Sequence, residues 1–554
     1  MMEGLNSLIF SIHIWRAGKC PPENFPSVNG DGMSTSLKLI HRVYAKKCLF
    51  FALFVCLLVL AGPASAIKEK PTPDQVRLNR ILADFEKYAE KAQQDWRVPG
   101  MAIGIVAQGK LVFAKGFGVK EASKPDKVDE RTVFQIGSTS KAFTAAVLAK
   151  MVDQKKLGWQ DKVVDHLPWF AMYDSWVTRQ FMVTDLMAQR SGLNDYAGDA
   201  QAFMGYDRRH IMRSLRYLKP ISSFRSQYAY VNGPFVVAGA LGEKLTHKTW
   251  EQNLKELFFN PLGMKNTSAS LKDFNQAPNV TRLHVQDGDK VSALPRNWPA
   301  HNWPYEYGPA GGINSNVADM VKWLKFQMGD GTFAGKRILS KKNLEYMHLP
   351  QTVVPTNDFE QRNYYCLGWV YNSLKPNAMI WHTGGTTACK TMLAMVPTRK
   401  WGIVILSNLI TNLPEALALR FYDMYFGNTP KDWSQKFLTA HKKAAQNQPA
   451  LPKVSEPPLA MQKYAGVYRN PVYGDFLVES RKDALQVTMG PWKIKMRLKH
   501  LNRDAFLMLW PPIIDERNPE TAEFSVGPDG RVESMKLSWD GGQKFVRLES
   551  KPDK

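Results

Sequence analysis

Cysteine is scarce, with five in 554 residues, and Cys20, Cys48 and Cys56 all fall in the first 66 positions. Cys366 and Cys389 are left, too few for a disulfide framework or a cysteine-built metal site. Export would permit one bridge between them; the alternative is two buried apolar thiols. His-Glu-x-x-His and Gly-x-Ser-x-Gly are both missing, which excludes a zincin helix and an α/β-hydrolase elbow. Neither a metal nor a cofactor is expected. Repeats, low-complexity tracts and compact basic runs are also lacking. Lys and Arg nevertheless outnumber Asp and Glu by 73 to 50, a formal charge of +23. An anionic cell wall or membrane surface suits that balance better than nucleic acid, for which no motif is present.

The apolar run Leu49–Leu60 is twelve residues long, too short to span a bilayer comfortably. Lys46 and Lys47 precede it and Gly62-Pro-Ala-Ser-Ala66 follows, the pattern of a secretory signal with cleavage after Ala66. We expect a periplasmic protein, with an uncleaved membrane anchor as the alternative. Met33 competes with Met1 as the start, because it leaves an n-region of ordinary length.

An apolar fraction of 44% suits a globular chain with a large core, and the length calls for more than one domain. Apolar residues recur at helical spacing from Val76 to Trp96. Met101–Ala107 and Lys110–Phe117 read as a β-hairpin across Gln108-Gly109. Residues 160–350 read as largely helical, with periodic segments at Arg208–Leu218 and Val317–Met328. A second β-rich block covers Tyr364–Tyr371, Ala378–His382, Lys390–Val396 and Gly402–Ser407, with a helix from about Pro414 to Tyr425. Strands at both ends of a helical middle predict an α/β (α+β) domain, one antiparallel sheet carrying a helical subdomain. Beyond it the apolar period becomes two, as in Leu485, Val487, Met489, with turns at Pro528-Asp-Gly530 and Asp540-Gly-Gly542. This predicts a small all-β barrel or sandwich. The expected divisions are a signal-bearing segment 1–66, a main domain 67–428, a surface linker 429–458 with a short helix near Trp433–Ala445, and a β domain 459–554.

Ser138-Thr-Ser-Lys141 stands where an apolar run stops at Gly137 and a helical pattern of Phe143, Val147 and Met151 begins. A serine there lies among the free N–H groups of a helix start, and a lysine one turn on can reach its hydroxyl. A desolvated lysine beside a serine can act as its base. Ser-x-x-Lys occurs once more, at Ser65–Lys68 on the cleavage boundary, and a serine N-cap beside a solvated lysine is the bland alternative. Tyr230 and Asn232 stand two apart on an irregular segment before the apolar helix Phe235–Leu245. A phenol can relay a proton there and an amide can bind a carbonyl. Tyr468 and Asn470 share that spacing inside the β domain without an expected role. His382-Thr383-Gly384-Gly385 opens a strand against which a substrate backbone can lie.

Ser138-x-x-Lys141, Tyr230-x-Asn232 and His382-Thr383-Gly384, in that order, resemble the penicillin-recognising serine hydrolases. They are most similar to class C β-lactamases and their esterase, D-aminopeptidase and DD-carboxypeptidase relatives. Leu186–Leu193, Pro309-Ala-Gly-Gly312 and Tyr365-Cys-Leu-Gly-Trp369 add to the likeness, which covers about residues 76 to 426. Residues 456–554, with Tyr464-Ala-Gly-Val-Tyr468, resemble the lipocalin-like domain that follows many of these enzymes. The resemblance implies a β-lactamase/transpeptidase-like fold, with Ser138 as nucleophile and Lys141 or Tyr230 as base. It implies an oxyanion hole from the N–H groups of Ser138 and Gly385, with Asn232, His382, Thr383 and Gly384 around the substrate. The substrate would be a small molecule or peptide: a D-amino peptide, a cell-wall peptide or an ester. Two positions depart from the pattern. Gln189 replaces a usual histidine, and His382 replaces the lysine of Lys-Thr-Gly, giving a partial charge near pKa 6.5 where a full one is usual. Acylation of an amide or ester is therefore expected ahead of two alternatives, a class C-type β-lactamase and a weakly acylating penicillin-binding or scaffold protein.

Overall fold

The structure, a computed structural model, describes residues 72–549 apart from 356–361, 375, 430, 447–455, 483, 510–519 and 540–541. The expected export segment, Asp540 and Gly541 lie outside the described residues. Asp74–Lys554 form one compact unit.

Eight strands build the main sheet: β1 (Gly100–Ala107), β2 (Lys110–Gly118), β3 (Thr352–Val354), β4 (Asn363–Tyr365), β5 (Val370–Asn372), β6 (Met379–Gly385), β7 (Lys390–Val396) and β8 (Trp401–Ser407). Their order is β2-β1-β8-β7-β6-β5-β4-β3, and each neighbouring pair is antiparallel. As expected, chain segments from both ends of the domain share one sheet. Tyr364–Tyr371 is not one strand, however. Gly368 takes φ +74, and the chain reverses between β4 and β5. A Cβ at Gly368 would press on the backbone of Lys141 and Ala142, so this turn seats the sheet against the start of the helix that begins at Lys141.

Six longer helices flank the sheet: α1 (Pro73–Asp95), α2 (Lys141–Asp153), α3 (Gly233–Thr246), α4 (Val317–Gln327), α5 (Leu413–Phe426) and α6 (Trp433–Gln446). Alternate residues of the central strands face opposite cores. Met101, Ile103 and Ile105 of β1 meet Phe85, Trp96, Leu417 and Phe421 of α1, its C-terminal end and α5. Ala102 and Val106 face α2, α3 and α4. The period of two in β1 therefore separates two packed layers, both dry.

α2 is the most enclosed helix. Every residue from Lys141 to Ala149 is buried, where the apolar spacing predicts only a stripe. Phe143 stacks on Trp323 at 3.7 Å and 14°, a contact worth about 0.5–1.5 kcal/mol beyond its area. Apolar side chains on all sides place this helix in the middle of the core, which fixes the position of the residues at its start.

The expected linker is largely structural. α6 buries Leu438, Trp96 Nε1 donates to Ser434 Oγ at 3.0 Å, and Trp433 Nε1 donates to Asp423 at 2.6 Å. Residues 433–446 thus pack with the main-sheet domain.

The C-terminal domain is a closed barrel of eight strands, β9 (Gly466–Asn470), β10 (Gly474–Arg481), β11 (Ala484–Met489), β12 (Ile494–Asn502), β13 (Ala505–Leu509), β14 (Glu520–Val526), β15 (Val532–Leu537) and β16 (Gln543–Arg547). Closure removes the edge strands. Tyr464, Tyr468, Phe506 and Phe524 meet inside it, with ring centroids 4.9–5.7 Å apart. Tyr468 and Asn470, the second Tyr-x-Asn pair, are spent on barrel packing and on Lys544 O.

The barrel meets the main-sheet domain through two turns. Trp492 N donates to Met204 O at 3.1 Å, and its ring lies where a Cβ at Gly205 would fall. Tyr206 OH donates to Tyr473 O at 2.6 Å, and His210 Nε2 is 2.8 Å from Val472 O.

Candidate active site

Gly137–Ser140 form a single 3₁₀ turn that runs directly into α2. Gly137 has φ +51, a conformation that costs a side chain but not glycine. Gly384 and Gly385 of β6 lie against this turn. A Cβ at Gly137 would come within 2.6 Å of Gly385 N, and one at Gly384 would collide with Ile136 O. Three glycines thus bring the backbone N–H groups of Ser138 and Gly385 to one end of the cleft. We expect Gly384→Ala to push the strand from the turn, lowering kcat about 100-fold, the usual cost of one lost oxyanion donor. Paired kcat and urea-midpoint measurements check this; an unchanged kcat in a folded variant would dissociate β6 from the reaction.

Lys141 is fully buried. Its Nζ lies 3.0 Å from Ser138 Oγ, 2.6 Å from Asn232 Oδ1 and 2.9 Å from Ala310 O. It also sits over the Tyr230 ring, 4.7 Å from the centroid. Burial pulls its pKa down to about 7, against an upward pull from Asp199. Ala310 belongs to the Pro309–Gly312 segment, so that part of the resemblance acquires a physical role as a carbonyl acceptor for the lysine.

Tyr230 and Asn232 immediately precede α3 and both line the cavity. Tyr230 is hydrogen-bonded to the Ser138 side chain, and burial drives its phenol well above the usual value. Its segment is held from below. Val231 N donates to Gln189 Oε1 at 2.7 Å, and Tyr230 N donates to Asp195 Oδ1 at 2.5 Å. Ala229 N donates to Gln189 O at 3.1 Å, and nearby Asp185, a fully buried carboxylate, pairs with Arg190 and Arg225 at 2.7 and 2.5 Å. The glutamine at the histidine position is thus a brace for the tyrosine loop. Asn232 differs from its expected use. Its oxygen accepts from Lys141 and its Nδ2 donates to Asp199 at 2.6 Å, so the amide positions the lysine and both its ends are engaged before any substrate arrives.

His382 carries the main correction. It is buried, 3.0 Å from Tyr365 OH through Nε2 and 2.5 Å from Thr383 O through Nδ1. Burial, then the Lys141 and Lys390 charges, lower its pKa to about 3. The expected partial charge is therefore absent at neutral pH. The ring is neutral, with Nδ1–H donating to the carbonyl and Nε2 accepting from the phenol. Thr383 and Gly385 line the cavity beside it.

The cavity encloses about 610 Å³. Tyr196, Tyr228, Trp303 and Trp381 supply aromatic walls, and Phe203 stacks on Trp303 at 4.4 Å. Trp303 Nε1 donates to Thr387 Oγ1 at 2.8 Å. Sequence reading missed Asp199, Tyr365 as the partner of His382, and Lys390, which also lines the cavity. Nothing in local spacing marks Asp199, which shares an irregular loop with Asp195. Cys366 and Cys389 are buried, free thiols, and burial raises both to about 12.

The beta-lactamase family profile matches residues 85–424, and a domain of unknown function, DUF3471, matches 450–551. The chain is 28% identical over 503 residues to unguisins hydrolase ungD' of Aspergillus campestris, covering 82% of this chain and 89% of that protein. It is 24% identical over 337 residues to Protein flp of Staphylococcus aureus strain MW2, covering 60% of this chain and 64% of that protein. Among solved structures, the octameric penicillin-binding protein homologue from Pyrococcus abyssi aligns with a TM-score of 0.57 and 20% identity, over 84% of this chain and 99% of that one. SurE aligns with a TM-score of 0.52 and 19% identity, over 86% and 100%. Sheet, helical layer and profile agree: the chain belongs to the beta-lactamase family, with a closed eight-stranded barrel at its C-terminal end.

Proposed function

We propose that the chain is an exported serine hydrolase that opens an amide or ester through an acyl-enzyme on Ser138. The observation that carries this reading is the set of contacts around Lys141. A neutral amine has two N–H donors and one lone pair. Asn232 Oδ1 and Ala310 O are acceptors, and together they use both donors. The lone pair is left for the Ser138 hydroxyl at 3.0 Å. With a pKa near 7, about half the lysines are in this form at neutral pH, which suits a general base.

In the proposed sequence, Ser138 Oγ bonds to the carbonyl carbon as its proton passes to Lys141. The N–H groups of Ser138 and Gly385 hold the oxyanion. Tyr230, kept protonated by burial, gives its phenolic proton to the leaving nitrogen or oxygen as its bond to carbon breaks, and the proton held on Lys141 restores the phenol. Water then takes the same route to release the acid and restore Ser138. The neutral His382 and Thr383 offer hydrogen bonds and no fixed cation at that position, which favours a substrate that presents an uncharged amide or ester group there over the carboxylate of a β-lactam or D-Ala terminus. The printed name of the fungal relative, a hydrolase, supports the reaction class. Mass spectrometry after fluorophosphonate treatment tests the reading: one adduct is expected, on the peptide bearing Ser138. A protein that turns over p-nitrophenyl esters while Ser138 stays unlabelled would overturn it.

A further inference from the structure

The proposed reaction leaves one buried charge of the cavity unused. Lys390 begins β7 in register with Gly385 of β6. Its side chain lines the cavity yet is only 16% exposed. Its Nζ is 2.7 Å from Glu415 Oε1, and Glu415 is not among the residues that face the cavity. The pair therefore presents its positive end to the substrate space and keeps its negative end behind. Glu415 lies in the first turn of α5, where free N–H groups and the helix dipole favour an anion. Its second oxygen is buried without a hydrogen-bond partner, so the lysine is its principal counterpart.

An ammonium has three donors, and Glu415 takes one of them. Thr387, in the same cavity wall, accepts from Trp303 Nε1, which leaves its hydroxyl proton to donate. A lysine and a threonine hydroxyl in one wall form a donor set for a carboxylate. Their location matters as much as their chemistry. Gly385 is three residues along β6 from His382, roughly 10 Å at strand spacing. His382 is neutral, and Lys141 is engaged by Ser138, Asn232 and Ala310. Among the described cavity-lining residues, the cation placed to meet a ligand thus stands beside the C-terminal end of β6, whereas the residue that replaces the lysine of Lys-Thr-Gly lies at the middle of that strand. Asp195 and Asp199 line the cavity beside Asn232 and would repel an anion from that wall.

We propose that Lys390, held by Glu415 and joined by Thr387, is a carboxylate-binding subsite that selects substrates whose carboxylate extends past Gly385. This rests on the reading of Ser138 as an acylating serine. The alternative is an ion pair that only ties β7 to α5, as buried pairs can do.

Two ester pairs separate these outcomes. p-Nitrophenyl glutarate monoester against p-nitrophenyl pentanoate places the carboxylate on the acyl side. 3-Carboxyphenyl acetate against phenyl acetate places it on the leaving group. Wild type should favour the carboxylate member of one pair about tenfold in kcat/KM, mainly through KM, and the pair that responds identifies the side. Lys390→Met and Lys390→Met/Glu415→Gln should abolish that ratio, and Lys390→Arg should keep part of it. Intrinsic leaving-group differences cancel when each variant's ratio is divided by that of wild type. The double variant leaves no lone buried charge, so it guards against simple misfolding. Equal wild-type rates within both pairs, or a preference that survives in both Met variants, would overturn the subsite. Turnover without preference sinks this proposal alone, whereas no turnover and no labelling of Ser138 sink the hydrolase reading with it.

Discussion

Ser138→Ala should lower hydrolysis of a p-nitrophenyl ester by about 10⁴–10⁶-fold while leaving the urea midpoint close to that of wild type. The size follows from the neighbours of Ser138 in the turn, which cannot replace it: Thr139 Oγ1 donates to Ile136 O and Ser140 Oγ to Gly137 O, and both are buried. Losing a nucleophile leaves only oriented binding and oxyanion stabilisation, which usually retain a small part of the rate enhancement. The fold should tolerate the change because Ser138 lines the cavity and Lys141 keeps Asn232 Oδ1 and Ala310 O as partners. Residual activity above about a tenth of wild type would assign the nucleophile elsewhere.

The second large effect concerns pH. Lys141 acts as a base when neutral, so kcat/KM should rise with pH through about 7 and level off above it, because burial has lowered the lysine from its usual 10.5 to about 7. The sign is opposite to that of a catalytic acid, whose rate falls as pH rises through its pKa. Lys141→Met keeps the length and apolar stem and removes the amine. We expect a loss of about 10²–10⁴-fold, the usual range for general base catalysis, together with loss of the limb near pH 7. Ser138→Ala/Lys141→Met should be scarcely slower than Ser138→Ala alone, since groups that act as a unit are strongly non-additive. A pH limb that persists in Lys141→Met would transfer the base role to another group. Stopped-flow acylation from pH 5 to 9 resolves it.

Ordered motifs made Ser138, Lys141, Tyr230, Asn232 and His382 legible in the sequence, because the first four stand at or just before helix starts and His382 interrupts an apolar strand just ahead of two glycines. The hairpin β1–β2 and the period-two barrel strands were legible for a similar local reason. What escaped depends on three-dimensional enclosure. The charge state of His382 is set by burial, then by Lys141 far away in the chain and Lys390 on the neighbouring strand, none of which periodicity reports. Asp199 becomes important only because Asn232 arrives beside it from another segment. The strand break at Gly368 follows from a positive φ demanded by close approach to α2, and an uninterrupted Tyr- and Val-rich stretch conceals it. Lys390 reads as an ordinary strand-end lysine until Glu415 is placed behind it.

The turn around Trp492 has a consequence for how this architecture can diverge. Its indole packs in the same small apolar cluster as Phe203 and Trp303, which are themselves cavity walls. Gly205 leaves room for the indole, and Gly490 leaves room for Met204. The two halves of the chain therefore cannot drift independently at this seam. Grafting a relative's barrel onto this hydrolase half would carry a foreign turn into the back of the pocket unless residues 203–205 travelled with it. In an evolving lineage, changes in that turn become a route to new substrate preference that leaves Ser138 and Lys141 untouched.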